Sequence, residues 1–317
     1  MKSFFTILVL CTGIASVAGF IHENEQPTNV TTKVALGKLL FNENILSLDS
    51  SVSCASCHNP TLAFADTVAF SKGINGTLTK RNVPSVLNMA NRPYFFYDGR
   101  ATTLQQQALQ PIAHKDEMGL PIAEAVNRLN QNSFYSKQFY HLYKQKVTEK
   151  NLADVLAAFE KSLETTNSKF DDWANNKVRF TAAEERGRQL FTGNKSKCFE
   201  CHFTEDFTDD GFKNIGLFNG LQLNDSGRYN ITKKKADIGK FKTPGLRNVA
   251  ITAPYMHNGQ FKTLEEVLAY YNQPNGFFAH QQNIDPILKK GLGLTVQEQK
   301  DIIAFLKTLT DKAYIRK

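Results

Sequence analysis

Cys54-Ala55-Ser56-Cys57-His58 reads C-x-x-C-H, the attachment signature of a c-type haem. Two thiols add to the porphyrin vinyl groups and hold the ring by thioether bonds. The two intervening residues let one helical turn present both sulfurs to one porphyrin edge, and His58 then serves as the iron's proximal ligand. The pattern recurs as Cys198-Phe199-Glu200-Cys201-His202, 144 residues further on (198 − 54). Together the two pentapeptides use every cysteine except Cys11. A structural zinc site needs four ligands close together and no histidine after each pair. Thioredoxin-like chemistry would need a βαβ pattern that is missing here. Two disulfides would leave the paired histidines unexplained. Two covalent haems account for all six residues.

The chain has 317 residues, 41% of them hydrophobic, which suits about two domains. Lys2, an apolar run from Phe4 to Ala18, and small residues Ala15, Ser16 and Ala18 predict a secretory signal peptide over residues 1–18. The run is too short to span a bilayer, and no later stretch is long and apolar enough. Export to the periplasm is therefore expected, with a mature protein that is not membrane-spanning. The net charge is +8, carried partly by Lys233-Lys234-Lys235. That run is either a solvated loop or part of a surface that steers an acidic electron-transfer protein. No motif accompanies the charge that would suit nucleic acid.

Val34 to Phe41 carries a short helical pattern ahead of the first motif. Residues 59–103 are rich in Gly, Pro, Asn and Arg and read as a long loop wrapped on a cofactor. Helices are predicted over 121–131, about 133–146, and 152–163, the last with Leu152, Val155, Leu156, Phe159 and Leu163 on one face and Asn151 as N-cap. Residues 164–180 read as a polar link, with Trp173 packing there. Thr181-Ala182-Ala183-Glu184 is a capping box that opens a helix through about Phe191. Each haem motif thus follows a helix ending in Leu-Phe: Leu40-Phe41 and Leu190-Phe191. Thr263-Leu264-Glu265-Glu266 and Thr295-Val296-Gln297-Glu298 open two further helices. The expected fold is mainly α: two cytochrome c-like haem domains, 30–165 and 178–312, with long cofactor-wrapping loops.

In this order and spacing, Ser53 to His58, Arg81-Asn82-Val83-Pro84-Ser85, Asp98-Gly99-Arg100-Ala101, Glu117-Met118-Gly119, Phe241-Lys242-Thr243-Pro244, Leu246-Arg247-Asn248-Val249 and Ala253-Pro254-Tyr255-Met256-His257-Asn258-Gly259 resemble the bacterial di-haem cytochrome c peroxidases and their relative MauG. The resemblance runs from about residue 33 to about 311. It implies a peroxidatic N-terminal haem, an electron-transferring C-terminal haem and a Ca2+ ion between the domains.

Carried onto this chain, the resemblance makes Glu117 the catalytic acid/base and Gln107 a distal residue over the same iron. His114, three residues before Glu117, is a competing acid/base but is read as a solvated loop residue. Many relatives block the resting N-terminal iron with a histidine after the first motif. No histidine lies between His58 and His114 here, which is closer to MauG. The sixth ligand of the second haem is expected at Tyr271, which shares a helical face with Leu264, Val267 and Leu268 while Tyr270 points elsewhere. Met256 is the next alternative, then His257 and His280. Tyr97 stands where the family often has an electron-relaying tryptophan. Arg100 and Arg247 are expected at haem propionates. Asn82 and the carbonyls of Thr243 and Gly245 are the expected calcium ligands.

The function these features predict is peroxide reduction, with electrons from a small cytochrome c or cupredoxin entering at the second haem. The expected partners are hydrogen peroxide, that donor and, as one allowed assembly, a second copy in a homodimer. A MauG-like oxidase of a protein side chain and a plain di-haem carrier are the alternatives. Glu117 and the missing gating histidine argue against the carrier.

Overall fold

Helix α1, Lys33–Asn42, starts where the Thr32 side chain accepts the Ala35 N–H. It lies against α6, Glu149–Lys161, so closely that a Cβ on Gly37 would sit 2.0 Å from the Val155 carbonyl oxygen. Only a glycine allows that approach. Around this crossing Leu36, Leu40, Ile112, Leu129, Phe139, Leu152 and Val155 are fully buried in one core. The computed structural model describes residues 30–315. The predicted signal segment, 1–18, lies outside the described residues.

The first haem motif is the single-turn helix α2, Cys54–Cys57. Loop with short turns fills the chain up to α3, Leu104–Ala113. Helices α4, Ile122–Gln131, and α5, Ser133–Tyr143, complete the N-terminal half. Helix α6 begins three residues earlier than predicted. Thr148 is its N-cap, and Asn151 sits at the third helical position, returning the capping-box bond to the Thr148 N–H. Helix α3 was not expected from sequence. Its apolar stripe, Leu104, Ala108 and Ile112, is diluted by four glutamines and interrupted by Pro111.

The link also holds a helix, α7, Lys169–Ala174, capped by Ser168 with Asp171. Trp173 packs there, stacked on Phe180 at 4.9 Å with the Arg188 guanidinium over its ring at 5.0 Å.

The C-terminal half repeats the N-terminal device. Helix α8, Ala182–Thr192, opens on the expected Thr181–Glu184 capping box. It meets α11, Val296–Lys307, at Gly187, where a Cβ would be 1.9 Å from the Asp301 carbonyl oxygen. The second motif follows as a tight turn over Cys198–Glu200. Between them come the short antiparallel pair β1, Phe212–Lys213, and β2, Phe241–Lys242, one-turn α9, Tyr229–Thr232, and α10, Leu264–Asn272. Phe191, Phe207, Leu268, Ile302 and Phe305 form this half's core.

Charged side chains join the halves. Arg81 pairs with Asp225 at 2.6 Å and Asp98 at 2.7 Å. Arg92 pairs with Asp206 and Asp210, and Arg228 donates to the carbonyls of Asp98 and Gly99.

Candidate active site

One cavity of about 1160 Å³ runs between the two halves, lined by Cys54, Cys57 and His58 and by Cys198, Cys201 and His202. All four cysteines are free thiols, so the disulfide alternative finds no support here. Burial pushes Cys54 up to about 12 and the other three to about 11, which keeps them protonated.

Each motif histidine is held the same way. His58 Nδ1 is 3.2 Å from the Phe64 carbonyl oxygen, and His202 Nδ1 is 2.8 Å from that of Phe207. A carbonyl only accepts, and burial pushes both imidazoles down towards the neutral form. Nδ1 therefore carries the proton, and the Nε2 lone pair is left for a metal. A backbone acceptor behind a ligating histidine is the arrangement that orients such ligands. Both carbonyls come from left-handed residues, Phe64 at φ 56° and Phe207 at φ 57°. Paired thiols, an oriented imidazole nitrogen and a shared cavity fit a covalent haem at each end.

The two ends differ on the wall facing the motif. At the N-terminal end, Arg100 from the loop before α3, Gln107 on α3, and His114 and Glu117 from the turn after it line the cavity. The Gln107 amide oxygen is buried and has no protein partner. Burial pushes the Glu117 carboxyl up, opposed by the charges of His114 and Arg100. His114 Nδ1 lies 3.4 Å from Glu117 Oε1. The expectation of a merely solvated His114 misses this contact, which forms only because the turn after Pro111 folds back on itself. Arg100 contacts Asp98 and Gln110 and stacks on Phe96 at 3.5 Å.

At the C-terminal end Leu264, Val267, Leu268 and Tyr271 of α10 line the cavity, as their helical spacing predicts. Burial pushes the Tyr271 phenol far up, with Tyr270 and then Cys198 and Cys201 adding to it. Tyr270 turns away and donates to the Ile215 carbonyl. Met256 also lines the cavity. His280 is exposed and outside it. His257 is buried against Phe241, ring centroids 3.6 Å apart, and burial lowers it to about 4. Arg247 lines the wall but is paired with Asp171 and Asp206.

Tyr97 lines the cavity, edge-on to His257 at 6.5 Å, and accepts the Lys242 N–H at its carbonyl. Asn82, Thr243 and Gly245 all line the cavity. Asn82 Nδ2 donates to the Val68 and Ala69 carbonyls. The Thr243 hydroxyl oxygen is buried without a partner, and its carbonyl accepts from Thr208. Among the described residues, no three His, Cys, Asp or Glu side chains cluster as a metal site.

Two helical c-type haem units around one interdomain cavity define a di-haem c-type cytochrome with an enzyme-like polar pocket at one end. Residues 31–179 match the family model for di-haem cytochrome c peroxidase, and residues 184–310 match that for cytochrome c. The chain is 37% identical over 285 residues to the methylamine utilization protein MauG of Methylorubrum extorquens, covering 87% of this chain and 78% of that protein. It is 35% identical over 284 residues to the cytochrome c peroxidase Ccp of Escherichia coli, covering 87% of this chain and 58% of the other. A solved MauG-like protein associated with microbial copper homeostasis superimposes with a TM-score of 0.83 at 30% identity, over 91% of this chain and 92% of that one. The chain belongs to the di-haem cytochrome c peroxidase and MauG family.

Proposed function

We propose that the protein reduces hydrogen peroxide to water, taking electrons one at a time from a small cytochrome c or cupredoxin. The observation that carries this reading is the N-terminal wall of the cavity. A carboxyl raised by burial, Glu117, and a buried amide oxygen without a partner, Gln107, face the same space as the first haem motif. Cys54 and Cys57 would hold one haem and His58 its iron; Cys198, Cys201 and His202 would hold the second, with Tyr271 as a further ligand to its iron. The haems supply the redox chemistry of O–O cleavage and the conduction of electrons to it. Glu117 takes the proton from one peroxide oxygen and returns it to the departing one. Gln107 orients the peroxide. Tyr97 relays charge between the ends. Arg100 and Arg247 serve the propionates by giving up present partners.

In this reading residues 30–165 form the peroxidatic domain and 178–312 the electron-entry domain. A Ca2+ ion between them would use Asn82, Thr243 and Gly245, for which the unpartnered Thr243 hydroxyl leaves a polar position. Export to the periplasm would suit the covalent haems. Steady-state peroxide reduction with reduced cytochrome c and cupredoxin donors tests the reading. Fast turnover with a donor is expected; none with any donor would overturn it. One observation favours a second reading, a MauG-like oxidase acting on a protein side chain: tyrosine, a hard donor suited to ferric and higher states, lines the second site. Retained peroxide reactivity with no donor-dependent turnover would select it.

A further inference from the structure

We propose that His114 is the proton-loading partner of Glu117, passing protons between bulk water and the catalytic carboxyl. This rests on the acid/base reading of Glu117. Reduction of one peroxide to two waters consumes two electrons, supplied by the donor protein, and two protons. The protons must reach the Glu117 carboxyl, whose side chain is 29% exposed against 44% for His114.

The groups facing Glu117 are few. Arg100 holds Asp98 and cannot release a proton at working pH. Asp116 points to Lys80, 3.7 Å away. Cys54 and Cys57 are consumed as thioethers when haem is attached. His114 alone combines proximity to Glu117, 3.4 Å from Nδ1 to Oε1, with a side chain 44% exposed.

The backbone fixes the pair. The Glu117 and Gly119 N–H groups both donate to the His114 carbonyl, at 3.0 and 2.9 Å. The Ile74 N–H donates to the Glu117 carbonyl at 2.8 Å. The Asp116 N–H, 3.3 Å from His114 Nδ1, donates to that nitrogen when it is unprotonated. The imidazolium gives its Nδ1 proton to Glu117, and the neutral ring that remains has an amide donor ready for its lone pair. The half-exposed ring then reloads from water. Each cycle moves one proton from bulk to the carboxyl and leaves His114 unchanged.

Three measurements on the holoprotein test this. In H114Q, peroxide turnover should fall roughly tenfold, less than the 10²–10⁴-fold of the acid/base group itself, and added imidazole should restore it. A pH-indicator dye should show slower proton uptake from bulk in H114Q after peroxide is mixed with donor-reduced protein. Infrared titration of the resting protein should show the Glu117 carboxyl band, identified by its loss in E117Q, ionising at higher pH in H114Q because a neighbouring cation is gone. If E117Q stays active, the acid/base reading fails and the relay with it. If E117Q is inactive while H114Q keeps wild-type turnover, proton uptake and carboxyl titration, the relay alone is overturned.

Discussion

The two halves share a scaffold and differ in what faces it. Both place Gly-x-x-Leu-Phe on the helix before the motif, Gly37 to Phe41 and Gly187 to Phe191. Both glycines sit where a helix crosses within van der Waals reach, and both histidines donate an Nδ1 hydrogen bond to the carbonyl of a left-handed phenylalanine. The opposite walls then part company. The N-terminal end brings glutamine, arginine, histidine and a carboxyl raised by burial to the cavity; α10 brings leucine, valine and a tyrosine to the other end. In the proposed reading, a repeated framework with an equivalent motif at each end would give the two sites separate work through Arg100 and a few side chains on α3, its following turn, and α10.

The sharpest way to break that comparison is to exchange the chemistry of one wall. Glu117→Gln should retain both haems and their reduction spectra but lose about 10²–10⁴-fold in peroxide turnover. Near-wild-type turnover would mean that the polar wall is not what distinguishes the N-terminal end. Tyr271→Phe should act on the other haem. Haem content should hold while the ferric spectrum changes at one haem only, and loss of a hard oxygen donor should raise that haem's reduction potential. Unchanged spectra would return Tyr271 to a packing role and make Met256 the next ligand to replace.

Much of this division was legible in the sequence, and the reasons for the rest are local. The C-x-x-C-H pairs, the Thr181 and Thr295 capping boxes and the Tyr271 face follow from spacing alone, and the structure keeps them. Helix α3 was hidden because Pro111 and a run of glutamines blur its apolar stripe, although it carries Gln107. The start of α6 was displaced because Asn151 resembles a cap and Thr148 is the real one. The His114–Glu117 contact depends on a turn whose hydrogen bonds converge on one carbonyl, which no short-range pattern announces. The paired glycines were readable as repeated Gly-x-x-Leu-Phe, but their purpose shows only once the second helix is in place.

Those glycines offer the next test. Gly37→Ala and Gly187→Ala should each destabilise their own half by about 1–3 kcal/mol, since the added methyl meets backbone that must shift. Denaturant unfolding followed at each haem should show each loss confined to its own domain. Equal loss at both haems would mean that the halves unfold as one unit.

The tie between the halves offers a pH-dependent test of similar size. Burial alone would raise Asp225, but the hydrogen bonds and charge of Arg81 hold its carboxyl below the ordinary range. A depressed carboxylate stabilises the fold above its unfolded pKa, near 3.9, and that contribution is lost as pH falls through the lower folded value. Arg81→Ala should therefore cost about 1–3 kcal/mol at neutral pH. The difference from wild type should shrink below about pH 4. Thermal unfolding of both proteins across that window measures it, and a difference independent of pH would assign the loss to packing instead.

The most direct measurement of the division of labour is to mix the fully oxidised holoprotein with hydrogen peroxide and follow both haem spectra. With no histidine from Asn59 to Ala113 to block the first site, and with Tyr271 lining the cavity, the spectra should change at once without prior reduction. Spectra that stay unchanged until one haem has been reduced would contradict the account, and would mean that the N-terminal end is closed in the resting protein.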